Sequence, residues 1–330
     1  MRREGSPWQG LGTVFLKEFA DHVTSIRMRV LEILILIIAV VALVGALGRI
    51  RETTAEDPFV LLKLFTVTKW PPMSLLVILG FLIPLPAICL VCDAVNAEHN
   101  RRTLSRILSQ PIYRDALLAG KFLAALATIA ISLLCLWLLV VGLGIIYLGV
   151  PPNGEEVVRS LVFLFIAVAY AGIWLALAML LSTIFRSVAT TLLVALGVWL
   201  FLTMLWPWMA SAIASAIAPP DPRYELLCQQ LGIDQVCTPD TFGWTQVLSR
   251  ISPFYLFSGA ATSVLVPTTQ GIGLDIVAQV NQLRSGGIPA PLPLSESLAI
   301  ASPWAVALIA SVIVLFVATY VAFQRQEVRA

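Results

Sequence analysis

Few residues in this 330-residue chain could carry out bond-making chemistry. There are two histidines, His22 and His99, and neither has a partner at the spacing of H-E-x-x-H or of a zinc-ligating pair. No G-x-S-x-G nucleophile turn occurs. Gly120-Lys121-Phe122 comes nearest to a phosphate-cradling loop. It lacks the hydroxyl residue after the lysine, has Asp115 where the first glycine belongs, and leads into an apolar run. Of five cysteines, Cys89, Cys92 and Cys135 lie in apolar stretches, and Cys228 and Cys237 lie close together in a polar one. These absences argue against a hydrolase, a metalloenzyme or a self-contained ATPase, and the chain is read as binding no cofactor of its own.

The elements around these residues are apolar. Hydrophobic residues make up 59% of the chain and charged ones 12%, about half the charge of a soluble domain, so the excess apolar surface must face lipid. Six separate apolar stretches, at 30–47, 73–92, 122–148, 161–181, 188–217 and 303–323, each approach the roughly 20 residues that cross a bilayer. The expected fold is an all-α membrane protein with six transmembrane helices. Apart from Glu32 at the mouth of the first stretch, none of the six contains a charge. A proton- or sodium-coupled carrier would place ionisable groups there. Pro84 and Pro86 should kink the second span, and Pro207 should split the fifth into a crossing helix and a shorter outer piece.

An N-inside arrangement places thirteen of the 21 Lys and Arg residues on the inner side and eight on the outer. It also puts both basic termini in the cytoplasm. Arg49, Arg51, Lys63 and Lys69 in the first outer loop argue the other way. The early charges leave no cleavable signal peptide, so the first span is expected to serve as its own insertion signal. Residues 1–29 read as an amphipathic interfacial helix, with Trp8, Leu11, Phe15, Phe19, His22 and Ile26 at spacings of three and four. The alternatives are a helix packed on other protein and a plain extension of the first span. The transmembrane part then covers 30–217 and 303–330, and 218–302, rich in Pro and Gly, reads as a small extracytoplasmic cap with an apolar helix near 251–266. On the outer side Cys228 and Cys237 become a candidate disulfide worth roughly 2–3 kcal/mol, the alternative being two free thiols. With a net charge of +2 and no long basic run, nucleic acid is set aside as a partner.

The inner segment 93–121, DAVNAEHNRRTLSRILSQPIYRDALLAGK, is the most specific stretch. Residues 94–109 have helical character, and Leu104, Ile107 and Leu108 form a short apolar ridge. Arg102 and Arg106 lie on another face, and Pro111 ends the helix before a new one runs into the third span. Such an elbow suits docking into a groove on a partner; the alternative is a loop packed on its own bundle.

The spacing Glu98, Thr103-Leu104, Ile107-Leu108-Ser109, Pro111, Arg114 and Gly120-Lys121 resembles the membrane-spanning subunits of type-2 ABC exporters. It departs from that pattern at Asn100 and Arg102. The resemblance implies that the elbow is a coupling helix for a separate ABC ATPase, which would hold ATP and Mg2+, with Glu98, Arg101, Thr103, Leu104, Ile107, Leu108 and Pro111 as the contact residues. It also implies two permease copies, expected as a homodimer in the cell membrane, around a pathway lined by spans two and five. Thr190, Thr191, Trp199 and Thr203 are the candidate lining residues, and the exported cargo is expected to be hydrophobic or amphipathic. The alternative function within the resemblance is a mechanical one, in which an extracytoplasmic protein is the partner driven and nothing is transported.

Overall fold

The computed structural model describes residues 10–50, 59–67, 73–96, 114–149, 151–219, 239–267 and 291–325. Among them every regular element is helical. In chain order these are α1 (Leu11–Thr24), α2 (Ile26–Ile50), α3 (Val60–Thr66), α4 (Leu75–Leu82), α5 (Pro84–Val91), α6 (Arg114–Leu148) and α7 (Gly154–Ile184). They are followed by α8 (Val188–Leu200), a π-helical turn (Phe201–Leu205), α9 (Trp206–Ile217), α10 (Pro239–Ser249), α11 (Pro253–Leu265) and α12 (Leu294–Arg325).

Five stretches are long and apolar enough to cross a membrane: Ile26–Gly48, Asp115–Leu148, Gly154–Ile184, Val188–Ile217 and Leu294–Arg325. The second expected span, Leu75–Val91, is shorter, about 25 Å at the helical rise against a hydrocarbon core of about 30 Å. Several helices outrun the apolar stretches that announce them. Helix α7, for instance, starts at Gly154 because Glu156 reaches back to the Asn153 N–H at 2.8 Å and satisfies an amide that the first turn leaves unpaired.

Helix α7 is the centre of the molecule. Its most apolar window is 61% buried, against 17% for α8–α9 and for α12, and it packs against α5, α6, α8, α11 and α12. Tyr170, Trp174, Ala176 and Met179 are fully enclosed. Helices this unequal in burial divide the roles: α7 is core, and the outer faces of its neighbours meet lipid or another chain.

The prolines act in two ways. Pro84 opens α5, and Ile83 between α4 and α5 keeps helical dihedrals, so the pair is one kinked rod. Pro84 has no N–H to offer the Gly80 carbonyl four residues back; the Tyr170 hydroxyl donates to that carbonyl instead, at 2.8 Å. In the fifth span the expected split at Pro207 does not occur. The helix widens into the π turn just upstream, with Trp206 N–H bonded to the Phe201 carbonyl, and runs on to Ile217. A π turn displaces carbonyls from the proline ring while keeping the helix continuous.

Helix α1 is not an extension of the first span. Ser25 breaks it with extended dihedrals, and α1 folds back along the start of α6, burying Val14. The apolar helix expected near 251–266 is α11, enclosed between α7 and α12.

Candidate functional site

Residues 97–113 lie outside the described residues, and with them Glu98, Arg101, Thr103, Leu104, Ile107, Leu108 and Pro111. So do Cys228 and Cys237. Both shoulders of the 97–113 segment are described, and both are fastened to the bundle at one place. On the leading shoulder, Arg27 pairs with Asp93 at 3.3 Å. The backbone N–H groups of Val95 and Asn96 donate to the Ser182 hydroxyl at 3.2 and 3.4 Å. Asn96 Nδ2 donates to Thr191 Oγ1 at 3.0 Å, and Thr191 donates onward to the Ser187 carbonyl at 3.1 Å. Asn96 and Thr191 are 2% and 0% exposed, so this bond is shielded from competing water.

The returning shoulder is held by α1 and α12. Gln324 donates to Asp115 at 2.9 Å, and Lys121 pairs with Glu18 at 3.1 Å with both side chains largely enclosed. A side-chain carbon at Gly120 would come within 2.8 Å of Val14. Glycine is therefore what lets α1 lie against α6. Val14, Val95, Leu117 and Phe323 close a small apolar cluster across both shoulders. The Gly120-Lys121 pair, a failed phosphate loop in the sequence, is the seat of α1. Burial pushes the Glu18 carboxyl upward, but the Lys121 ammonium, helped by Lys17, overrides it and holds the group below the usual carboxylate range. Burial, with Lys121 adding, pushes His22 down against the pull of Glu18, Asp93 and Asp21.

The opposite end holds three charged residues, Glu155, Glu156 and Arg159, that the sequence reading did not single out. Arg159 is fully buried and all five of its N–H bonds are used. They go to Glu155 (3.0 and 2.7 Å), the Val264 carbonyl (3.1 Å), the Leu292 carbonyl (2.7 Å) and the Ser297 hydroxyl (2.9 Å), and the group also lies 5.5 Å from the Phe59 ring. Glu156 accepts from Leu61 N–H at 2.8 Å and so ties α3 to α7. The signal was present as Glu155, Glu156 and Arg159 directly ahead of an uncharged apolar run.

The four residues proposed for the pathway have different surroundings. Thr190 is exposed and Thr191 is buried in its bond with Asn96. Trp199 is half-buried, and Thr203, on the π turn, is 4% exposed. The Trp199 indole N–H and the Thr203 hydroxyl have no hydrogen-bond partner. Glu32 meets the Ser132 hydroxyl across α2 and α6. Cys89, Cys92 and Cys135 are free thiols. Among the described residues no three His, Cys, Asp or Glu side chains are grouped so as to hold a metal ion.

The sequence model of one protein family, described as ABC-2 family transporter protein, matches residues 13–328. The chain belongs to that family. No curated protein matches it. ABC-2 transporter proteins are membrane components of ABC transporters and are not themselves the ATPases. The match takes in α1 from its third residue, the whole 97–113 segment and α12.

Proposed function

We propose that this ABC-2 protein is the permease subunit of an ATP-driven exporter, and that segment 97–113 is the coupling element received by a separate ATPase. The observation carrying this reading is that both shoulders of the segment are fastened at one end of the bundle, to α1, α2, α7, α8 and α12. A push on such a segment is delivered to five helices at once, as nucleotide-driven switching of the bundle requires. In this reading α4–α5 completes a sixth crossing, both termini are cytoplasmic in the cell membrane, α1 lies at the inner interface, and two copies form a homodimer. Thr190, Trp199 and Thr203 face the pathway of a hydrophobic or amphipathic cargo, while Thr191 links the coupling segment to the fifth span. ATP and Mg2+ are held by the ATPase alone.

Co-purification of the extracted chain with its candidate ATPase tests the reading. Glu98→Arg and Leu108→Asp, which reverse a charge and spoil the apolar ridge, are expected to abolish the complex while leaving the bundle folded. An intact, ATP-hydrolysing complex in both variants would place the docking site elsewhere.

A mechanical role has its own support. Arg159 fastens α11 and the strand of chain at Leu292 to α7 and α12, so motion of those helices moves the cap. Stimulation of ATP hydrolysis only by an extracytoplasmic protein favours that role; stimulation by a small amphiphile favours transport.

A further inference from the structure

At the end of α11 away from Arg159, α10 turns into α11 through a corner at 249–252, and a crevice of about 400 Å3 adjoins it. Its walls come from Ile173, Trp174 and Leu177 of α7, Val198 of α8, Leu202 of the π turn, Pro253 of α11, and Ala310, Ser311, Val314 and Leu315 of α12. Ser311 spends its hydroxyl on the Ala307 carbonyl at 2.8 Å, and the Trp174 indole N–H, buried and without a hydrogen-bond partner, is the other polar group in a lining that is otherwise hydrocarbon. It lies at the depth of the membrane-crossing parts of α7, α8 and α12, and Ala310 and Val314 on its rim are exposed.

The corner above the crevice is charged and held in place. Trp206 at the end of the π turn donates its indole N–H to the Leu248 carbonyl at 2.8 Å, which pins the corner over α8–α9. Trp304 lies against α11 so closely that a side-chain carbon at Gly259 would sit 3.1 Å from the indole. Arg250 stacks on that indole at 5.0 Å and remains exposed. Trp304 and the crevice residues Ser311 and Leu315 recur on α12 at helical spacing, so the cation sits at the head of the apolar channel. Ser252 in the same corner is buried, and its hydroxyl has no hydrogen-bond partner.

An exposed arginine stacked on Trp304, near the start of the apolar run 303–323, beside a largely apolar groove matches an anionic lipid: phosphate on the guanidinium, acyl chain in the groove. We propose that this crevice is a binding site for one anionic phospholipid, with its headgroup on Arg250 and one chain between α8 and α12. The site does not depend on the coupling role proposed above; only the leaflet it draws from depends on that orientation.

The test uses the full chain in nanodiscs doped with phosphatidylglycerol carrying a photoactivatable group midway along one acyl chain, beside the matching phosphatidylcholine. Labelling of 198–202 and 310–315 is expected to favour phosphatidylglycerol by about fivefold, the preference one surface arginine confers on an anionic lipid. Arg250→Gln, an exposed change without folding consequences, should remove the preference, and Ala310→Trp, which fills the crevice from an exposed position, should remove the labelling. Equal labelling by the two lipids in the parent chain, a preference surviving Arg250→Gln, or undiminished labelling of Ala310→Trp would overturn the proposal. So would disulfide pairing between two Val314→Cys chains, because the crevice would then be an interface between copies.

Discussion

Arg159 is a buried charge that costs little because nothing in its hydrogen-bonding capacity is wasted. An isolated guanidinium at a membrane edge would be expelled; here every N–H is met, and two of its acceptors are the carbonyls of Val264 and Leu292. Most of its contribution lies in those carbonyls, since Glu155 is 35% exposed and its pairing is discounted by solvent. Arg159→Met should leave both carbonyls unpaired and destabilise the cap by about 3 kcal/mol, at about 1–3 kcal/mol for each stranded polar group. The expected readout is a lower midpoint of thermal unfolding in detergent, with faster proteolysis between α11 and α12. Arg159→Lys should recover only part of the loss, because an ammonium cannot reach acceptors that a planar fork spans. A midpoint unchanged in Arg159→Met would show that the clamp does not hold the cap.

Among the elements, the kinked α4–α5 pair shows where sequence reading succeeds and where it stops. Pro84 and Pro86 announce the kink, because a missing N–H is a property of one residue type. The substitute donor, Tyr170, is 90 residues away, and no local spacing points to it. The same limit hides the Glu18–Lys121 pair and the Glu156–Leu61 bond, each set by packing rather than by period. Hydrophobic spans are legible because exclusion from water accumulates over consecutive residues; the shorter α4–α5 and the expected split at Pro207 were the weaker readings, since a π turn can absorb a proline that otherwise breaks a helix. The coupling residues 98–111 rest on motif resemblance. The shoulders that anchor them, Asn96 and Lys121, were not legible as anchors at all. A double-mutant cycle tests the Tyr170 substitution for the missing N–H. Tyr170→Phe alone should cost about 1 kcal/mol, within the range of hydrogen bonds between membrane helices. In a Pro84→Ala background, where an N–H returns to the Gly80 carbonyl, the same change should cost close to nothing. Equal costs in the two backgrounds would mean that Tyr170 does not replace the missing bond.

For the molecule as a whole, the two ends are secured by different chemistry, and pH should separate them. The Arg159 end rests on a guanidinium fork bonded chiefly to two backbone carbonyls and a hydroxyl, none of which titrates. The opposite end, where α1 closes over both shoulders of segment 97–113, rests on groups that titrate. Glu18 faces Lys121 from α6 and Lys17 on its own helix, and its carboxyl is held below the usual range when α1 is docked. A depressed carboxylate contributes docking energy that is fully present above its free value, near 4.3, and is lost as pH falls through the docked value. His22 faces Glu18, Asp21, Asp93 and Lys121, and burial, with Lys121 adding, holds it below the ordinary histidine range in the docked state. Once α1 is released, His22 takes up a proton near its free value of about 6.5, so acidification below that point also favours release. Both effects have the same sign, and α1 should loosen in two steps, one as pH falls below about 6.5 and one as it falls below about 4.3, while α7 and α11 stay closed. Backbone protection factors from hydrogen exchange, which remove the intrinsic pH dependence of exchange, are the measurement. Protection across 11–24 should fall first below about 6.5 and again below about 4.3. His22→Asn should remove the upper step, and Glu18→Gln should lower protection of α1 already at pH 7. Protection of α1 that is independent of pH, or unaffected by Glu18→Gln, would mean that the Val14–Gly120 contact alone holds the helix, and that the two shoulders are joined by packing and not by charge.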